Sequence, residues 1–200
     1  MYPPGTTIND MGGGVGLMAM KLVKAFPNLQ LKLQDLPDRI SQAKTEVWPR
    51  LLPSAIAEKR IEFKSMDFLV DSPIADCDVY YLNNIIHDWP DEACVQVLGN
   101  IRAVLKPGAR VLINEYILQH VHRMDTSDHV STEAPEPMLP NYGVGRIRQY
   151  NADLLVMVLQ NGIQRTLKDL IDIGNKANLQ FVKLWHVGET SVVEFEHAET

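Results

Sequence analysis

Cysteine is scarce in this 200-residue chain: only Cys77 and Cys94 are present. Two thiols make neither a disulfide framework nor a zinc site, so both are expected to be inert in a reducing compartment. No apolar run approaches the roughly 20 residues of a membrane span. The opening Met1-Tyr2-Pro3-Pro4-Gly5 has no basic stretch and no apolar stretch of the kind a secretory signal needs. A cytoplasmic location is therefore expected, with no membrane partner. Basic residues are outnumbered, 19 Lys and Arg against 25 Asp and Glu, and they form no cluster. That excludes the electrostatic footprint of a nucleic-acid binder. His120, His122 and His129 are close in sequence but have no partner acid at a set spacing, so no metal is expected.

What the chain does have is alternation. Period-two or β-prone segments at Thr6–Asp10, Leu29–Leu33, Arg60–Lys64, Val79–Leu82 and Arg110–Glu115 read as strands. Helical patterns at Val15–Phe26, Ser41–Glu46 and Asp91–Leu105 lie between them. In the last, Cys94, Leu98, Ile101 and Leu105 make one apolar stripe. Such an order predicts an α/β fold with a mostly parallel sheet and helices on both faces. Residues 119–149 break the rhythm and read as a long loop, of the sort that is functional or disordered in a compact domain. Ala152–Leu159 and Leu167–Ala177 read as helices, and Phe181–Val187 with Ser191–Glu196 as a C-terminal antiparallel hairpin around Gly188-Glu189. One domain spanning 1–200 is expected.

The chemistry begins at Asp10-Met11-Gly12-Gly13-Gly14-Val15-Gly16, where the first strand meets the first helix. Glycines there let the backbone approach a ligand, and the helix N-terminus offers free N–H groups. A bare tight turn would not need four glycines in five residues. Leu17 occupies the place where a dinucleotide fingerprint has Gly or Ala, which favours a ligand without a pyrophosphate. Asp35, 19 residues after Gly16, ends the second strand and could accept from ribose hydroxyls. A helix cap is the plainer role for it. Asp67 could accept from an adenine amine with Phe68 on the ring face, or could be an ordinary loop acid.

These motifs, taken with Ile85-Ile86-His87-Asp88-Trp89-Pro90-Asp91-Glu92 and Asn161-Gly162-Ile163-Gln164-Arg165-Thr166, resemble the plant and fungal O-methyltransferases of the caffeate type. The stretches Leu33–Pro49 and Pro135–Tyr142 look closest to the fungal branch. The resemblance implies a Rossmann-like class I methyltransferase fold with seven strands and S-adenosyl-L-methionine as cofactor. It places Asp10, Gly12, Gly14, Gly16, Asp35, Leu36, Asp67, Phe68 and Asn83 at the cofactor. It implies His87 as the base that takes a proton from the hydroxyl of a small phenolic or aromatic secondary metabolite. Glu115 and Gln164 would flank that imidazole, while Trp89 and Met157 would line the acceptor pocket.

Three departures from the family accompany the resemblance. The family's N-terminal dimerisation domain is expected to be absent, so a homodimer is expected only where such a domain is present. Asn83 stands where the family has Lys or Arg, and Gln164 where it has a second Glu. Two other functions stay open on this evidence: a cofactor-binding relative with little or no catalysis, and a nicotinamide-dependent oxidoreductase, against which Leu17 counts.

Overall fold

The computed structural model describes residues 3–123 and 133–198. β1 (Thr7–Met11) runs through the glycine turn into α1 (Leu17–Ala25). β2 (Gln30–Asp35) is followed by α2 (Pro37–Gln42), a π-helical turn (Ala43–Val47), α3 (Trp48–Leu51) and α4 (Pro53–Ala57). β3 (Ile61–Ser65) and β4 (Val79–Asn83) lead to a 3-10 turn (Ile86–Asp88) and α5 (Asp91–Val104). Then come β5 (Arg110–Glu115), the short β6 (Ile117–Leu118), a 3-10 turn (Gly143–Arg146) and α6 (Ile147–Gln160). The short β7 (Arg165–Thr166), α7 (Leu167–Lys176), β8 (Leu179–His186) and β9 (Ser191–His197) complete the order.

Seven strands form one sheet in the order β3-β2-β1-β4-β5-β9-β8. The first five are mutually parallel; β9 runs antiparallel to both β5 and β8. The two halves of the pleat feed two cores. Tyr80, Leu82, Val111, Ile113 and Phe195 pack against Cys94, Leu98 and Ile101 of α5 and Leu170 and Ile173 of α7. Leu31, Leu33 and Val79 pack on the other face, against Ala19, Met20 and Val23 of α1 and Trp48 of α3. A sheet covered on both sides buries its strands almost completely, which is why the central ones read as β-branched and leucine-rich. This is the Rossmann-like class I methyltransferase architecture.

Three expectations are corrected in detail. The helix expected at Ser41–Glu46 extends from Pro37 to Leu51 through the π-helical turn. Pro37 stands in the first turn, where proline is tolerated, and Pro49 follows directly on the π-helical turn at the start of α3. The helix expected from Ala152 begins at Ile147. Its first turns hold Arg148, Gln149 and Tyr150, whose polarity hides the helical period although Gln149 is buried. The loop expected over 119–149 is therefore shorter at its far end. Third, β6 and β7 form a separate parallel pair, Ile117 with Arg165 and Leu118 with Thr166, too short to leave a periodic signature. His129 lies outside the described residues.

Candidate active site

Parallel strands bring their carboxyl ends to one edge, and ligands bind there in folds of this kind. Asp10 to Gly16, Asp35, Asp67, Asn83, His87 and Glu115 all follow from, or sit in, the last residues of β1 to β5.

On the β1 side the chain turns through left-handed glycines, with φ of 68° at Gly12, 61° at Gly14 and 84° at Gly16. A Cβ at Gly14 would meet nothing within 4 Å, so the turn opens onto free space. A Cβ at Gly16 would come within 2.7 Å of Leu33 and 2.8 Å of the Trp48 indole nitrogen. That nitrogen donates to the Val15 carbonyl at 3.0 Å, so α3 holds the turn from behind. The Asp35 carboxylate reaches back to the same turn. Its Oδ2 accepts from the Gly14 N–H at 2.7 Å and its Oδ1 from the Leu36 N–H at 2.7 Å. The Leu36 side chain stands half-exposed beside it.

Asp10 is wholly buried; neither carboxylate oxygen makes a well-formed hydrogen bond among the described residues, and the Ala19 backbone N–H is the one donor that eases its charge. Burial, and then the charge of Asp35, push its pKa up to about 7. A buried carboxyl so poorly supplied with donors is costly to ionise. A group bringing N–H donors or positive charge would meet that need. Asp10 also faces the β4 neighbour Tyr81, whose pKa rises to about 12, first through burial and then through the Asp10 charge. Tyr81 therefore stays a donor, and its hydroxyl donates to Asn83 Oδ1 at 3.2 Å. The same oxygen accepts from Asn114 Nδ2 at 2.7 Å. Asn83 is thus tied sideways to β5 and supplies no cation.

Asp67 opens the turn after β3. Its Oδ1 accepts from the Leu69 N–H at 3.0 Å, and its own N–H donates to Asp71 at 2.9 Å. Phe68 and Ile85 face Gly12, where an added Cβ would come within 3.3 Å of the Phe68 ring. Trp89 packs edge-on to Phe68, with ring centroids 5.7 Å apart. The structure therefore brings Trp89 to the Phe68 side of the site, while Met157 lies half-exposed on α6.

The centre of the edge is His87. Its Nδ1 lies 2.6 Å from Glu115 Oε2, and its Nε2 lies 3.2 Å from Asp88 Oδ1. Glu115 is 2% exposed, and its Oε1 accepts from the N–H groups of Ile85 and Ile86 at 3.0 and 2.9 Å. One carboxylate thus fixes both the backbone of the turn and the ring it carries. Acceptance by Glu115 places the neutral ring's proton on Nδ1 and leaves the Nε2 lone pair to act as a base. Desolvation is the largest single influence on His87 and lowers its pKa. The hydrogen bond and charge of Glu115, together with Asp88, outweigh it, so the net movement is upward.

Gln164 is 3% exposed, with its amide nitrogen 3.2 Å from His87 Nδ1. Two donors meet there, while the amide oxygen is buried without a partner. Half a turn of the amide exchanges the two and offers Nδ1–H a second acceptor. Sequence reasoning missed Asp88 and Trp48 as parts of the site. Asp88 sits inside the His-Asp-Trp block, whereas Trp48 acts from 33 positions beyond Val15 and leaves no local signal.

Among the described residues no three His, Cys, Asp or Glu side chains converge as a metal site, and no helix is long and apolar enough to cross a membrane.

Residues 3–179 match the model of a family described as an O-methyltransferase domain. The chain is 46% identical to 3-O-methyltransferase 2 of Phanerochaete chrysosporium, over 96% of this chain and 42% of that protein. It is 35% identical to O-methyltransferase gedA of Aspergillus terreus, over 95% of this chain and 38% of that protein. The chain therefore spans about two fifths of the length of these relatives. Among solved structures, mitomycin 7-O-methyltransferase MmcR matches with a TM-score of 0.76 at 24% identity, over 97% of this chain and 49% of the other. CalO1, a methyltransferase in calicheamicin biosynthesis in its SAH-bound form, matches at 0.76 and 23% identity, over 98% and 50%. At these identities the structural likeness establishes the fold.

Proposed function

Because this chain belongs to the O-methyltransferase domain family, we propose that it transfers a methyl group from S-adenosylmethionine to a hydroxyl of a small phenolic or aromatic secondary metabolite, with His87 as general base. The observation that carries the proposal is the 2.6 Å contact of His87 Nδ1 with the buried Glu115, at the edge that also holds the glycine turn. CalO1 was solved with SAH bound, and curated relatives carry O-methyltransferase names, which supports the same cofactor here.

The residues present fit that cofactor. The open space at Gly14 forms a cradle, with the poorly hydrogen-bonded Asp10 carboxyl buried behind it. Asp35 would take the ribose hydroxyls, and Asp67 with Phe68 the adenine. When bound, the cofactor supplies an electrophilic methyl group on a sulfonium. The protein's own work is then to orient the acceptor and remove its proton. His87 Nε2 takes the proton from the acceptor hydroxyl. Glu115 holds the resulting imidazolium at Nδ1, and the Asp88 carboxylate, 3.2 Å from Nε2 but not hydrogen-bonded to it, favours the positive charge through space. Asp88 thereby contributes at one ring nitrogen the negative charge that Gln164 does not contribute at the other.

The test is His87→Ala in the full polypeptide, assayed with S-adenosylmethionine and a panel of phenols. Turnover should fall on the order of 10²–10⁴-fold, the usual worth of a general base. Cofactor affinity measured by calorimetry should hardly change. Turnover equal to the parent's would rule out His87 as the base.

A further inference from the structure

Arg165 is 5% exposed, and each of its three guanidinium nitrogens donates a hydrogen bond. Nη1 donates to the Ile86 carbonyl at 2.7 Å and Nη2 to the Trp89 carbonyl at 2.7 Å. Those two carbonyls bracket His87 and Asp88. Nε and Nη2 donate to Asp91 Oδ1 at 3.0 and 2.7 Å, which fastens the same fork to the first turn of α5. Two residues earlier, the Ile163 N–H donates to the carbonyl of His87 itself at 2.8 Å. Arg165 also pairs through β7 with Ile117, two residues beyond Glu115. One side chain thus connects the base's turn, the helix after it and the strand that follows the base's carboxylate partner.

We propose that Arg165 is a positioning residue of the reaction, whose fork clamps the backbone on both sides of His87 and sets the imidazole against Glu115. The proposal rests on the general-base reading of His87 given above. A lysine could supply the charge but not the planar fork that reaches two carbonyls and a carboxylate together. Its charge has a second effect. The groups around the ring are Glu115 from β5, Asp88 from the turn itself and Asp91 from α5. Gln164 from the segment before β7 is uncharged, and its N–H donates to Asp153 of α6 at 2.8 Å. Among these groups Arg165 is the cation, and it draws the His87 pKa down against the carboxylates. It therefore helps the base to release its proton after each turnover.

The experiment uses the full polypeptide with Arg165→Met, Arg165→Lys and the parent. Histidine-labelled protein is titrated by NMR to read His87 directly, with His87→Ala identifying its signal. Turnover is followed with S-adenosylmethionine and with catechol, guaiacol and p-nitrophenol as acceptors. Arg165→Met should move the His87 midpoint upward. Arg165→Lys should leave the midpoint near the parent's but broaden the ring signal, because the charge stays and the clamp is lost. In both variants kcat should fall about 10- to 100-fold, the scale of a small misplacement, with KM for the cofactor unchanged. A merely structural arginine would lower thermal stability while leaving the midpoint, the line shape and kcat as they were, and that result overturns the proposal. If Arg165→Met does not fold, Arg165→Lys decides alone: an unbroadened His87 signal overturns the clamp. Absence of turnover in the parent would count against the general-base reading, whereas the His87 titration and line shape still judge the clamp.

Discussion

Glu115 acts on His87 with one oxygen and on the backbone beneath it with the other, so its charge and its shape can be separated. Glu115→Gln keeps an acceptor for one of these partners and removes the charge. A histidine whose folded pKa is raised by a carboxylate stays protonated to higher pH, so activity that needs neutral His87 rises with pH through that raised value. Glu115→Gln should therefore move the acid limb of the kcat/KM profile to lower pH while lowering its plateau. A pH-rate series from about pH 5 to 9 checks this; an unmoved acid limb would assign it to another group. The same raised pKa contributes stability that is present below the unfolded histidine value and lost as pH rises through the folded one. Asp10 acts in the same direction at lower pH. Its folded pKa of about 7 lies above the ordinary carboxylate value of 3.8, so the folded state holds a proton that the unfolded state releases between those limits. Its contribution to stability thus falls as pH climbs from about 4 to 7, by up to about 1.4 kcal/mol per pH unit. Asp10→Asn should flatten this part of the stability curve, read from denaturation midpoints without cofactor, and should weaken cofactor binding.

At the scale of the element, the segment between α6 and α7 brings the distant end of the chain to the base. A Cβ at Gly162 would lie 2.2 Å from the His87 carbonyl oxygen and 2.7 Å from Val156. Neither atom can retreat cheaply: the carbonyl is bonded to the Ile163 N–H, and Val156 is buried on the inner side of α6. Gly162→Ala should therefore displace the His87 turn. Turnover should fall about tenfold or more at nearly unchanged cofactor affinity, the outcome of moving the base without touching the glycine turn. Gly16→Ala makes the counterpart. There φ is 84° and the new methyl would meet Leu33 and Trp48, so the cost falls on stability and cofactor binding together. About 1–3 kcal/mol of destabilisation is expected from overpacking and strain. Thermal denaturation of the two variants, compared with calorimetry of the cofactor, would tell the two effects apart.

At the scale of the molecule, exposed apolar side chains are densest along α6 among the described residues. Leu154, Leu155, Met157, Val158 and Leu159 are all exposed there, Val158 to 74%, and Ile163 and Val144 add to the apolar surface. Contiguous apolar surface of this kind marks a face that something else covers. The relatives' chains are more than twice as long as this one. We expect the 200-residue chain on its own to associate in solution. Leu155→Glu with Leu159→Glu should reduce that association at little cost in stability, because both side chains are already exposed. Light scattering on the two proteins would show it, and equal association would move the sticky surface elsewhere.

The sheet was legible because its evidence is local. Leu29, Leu31 and Leu33 alternate, glycines crowd after Asp10, and a proline with two acids announces α5, so strand, turn and helix each follow from short-range sterics and burial. The same locality placed His87 and Glu115 at one edge, since parallel strands end together. Contacts across the sequence were a different matter. The Gln149-bearing start of α6 does not look helical, because its buried face is polar and its apolar face is exposed. Asp88 stood beside His87 in the sequence, yet only the fold of the 3-10 turn brings its carboxylate within 3.2 Å of Nε2. Arg165 lies 79 positions from the Ile86 carbonyl it holds, and Trp48 lies 33 from that of Val15. No periodicity records such pairs. Burial of a polar side chain is settled by which distant carbonyl it can reach, and only the packed chain brings the two together.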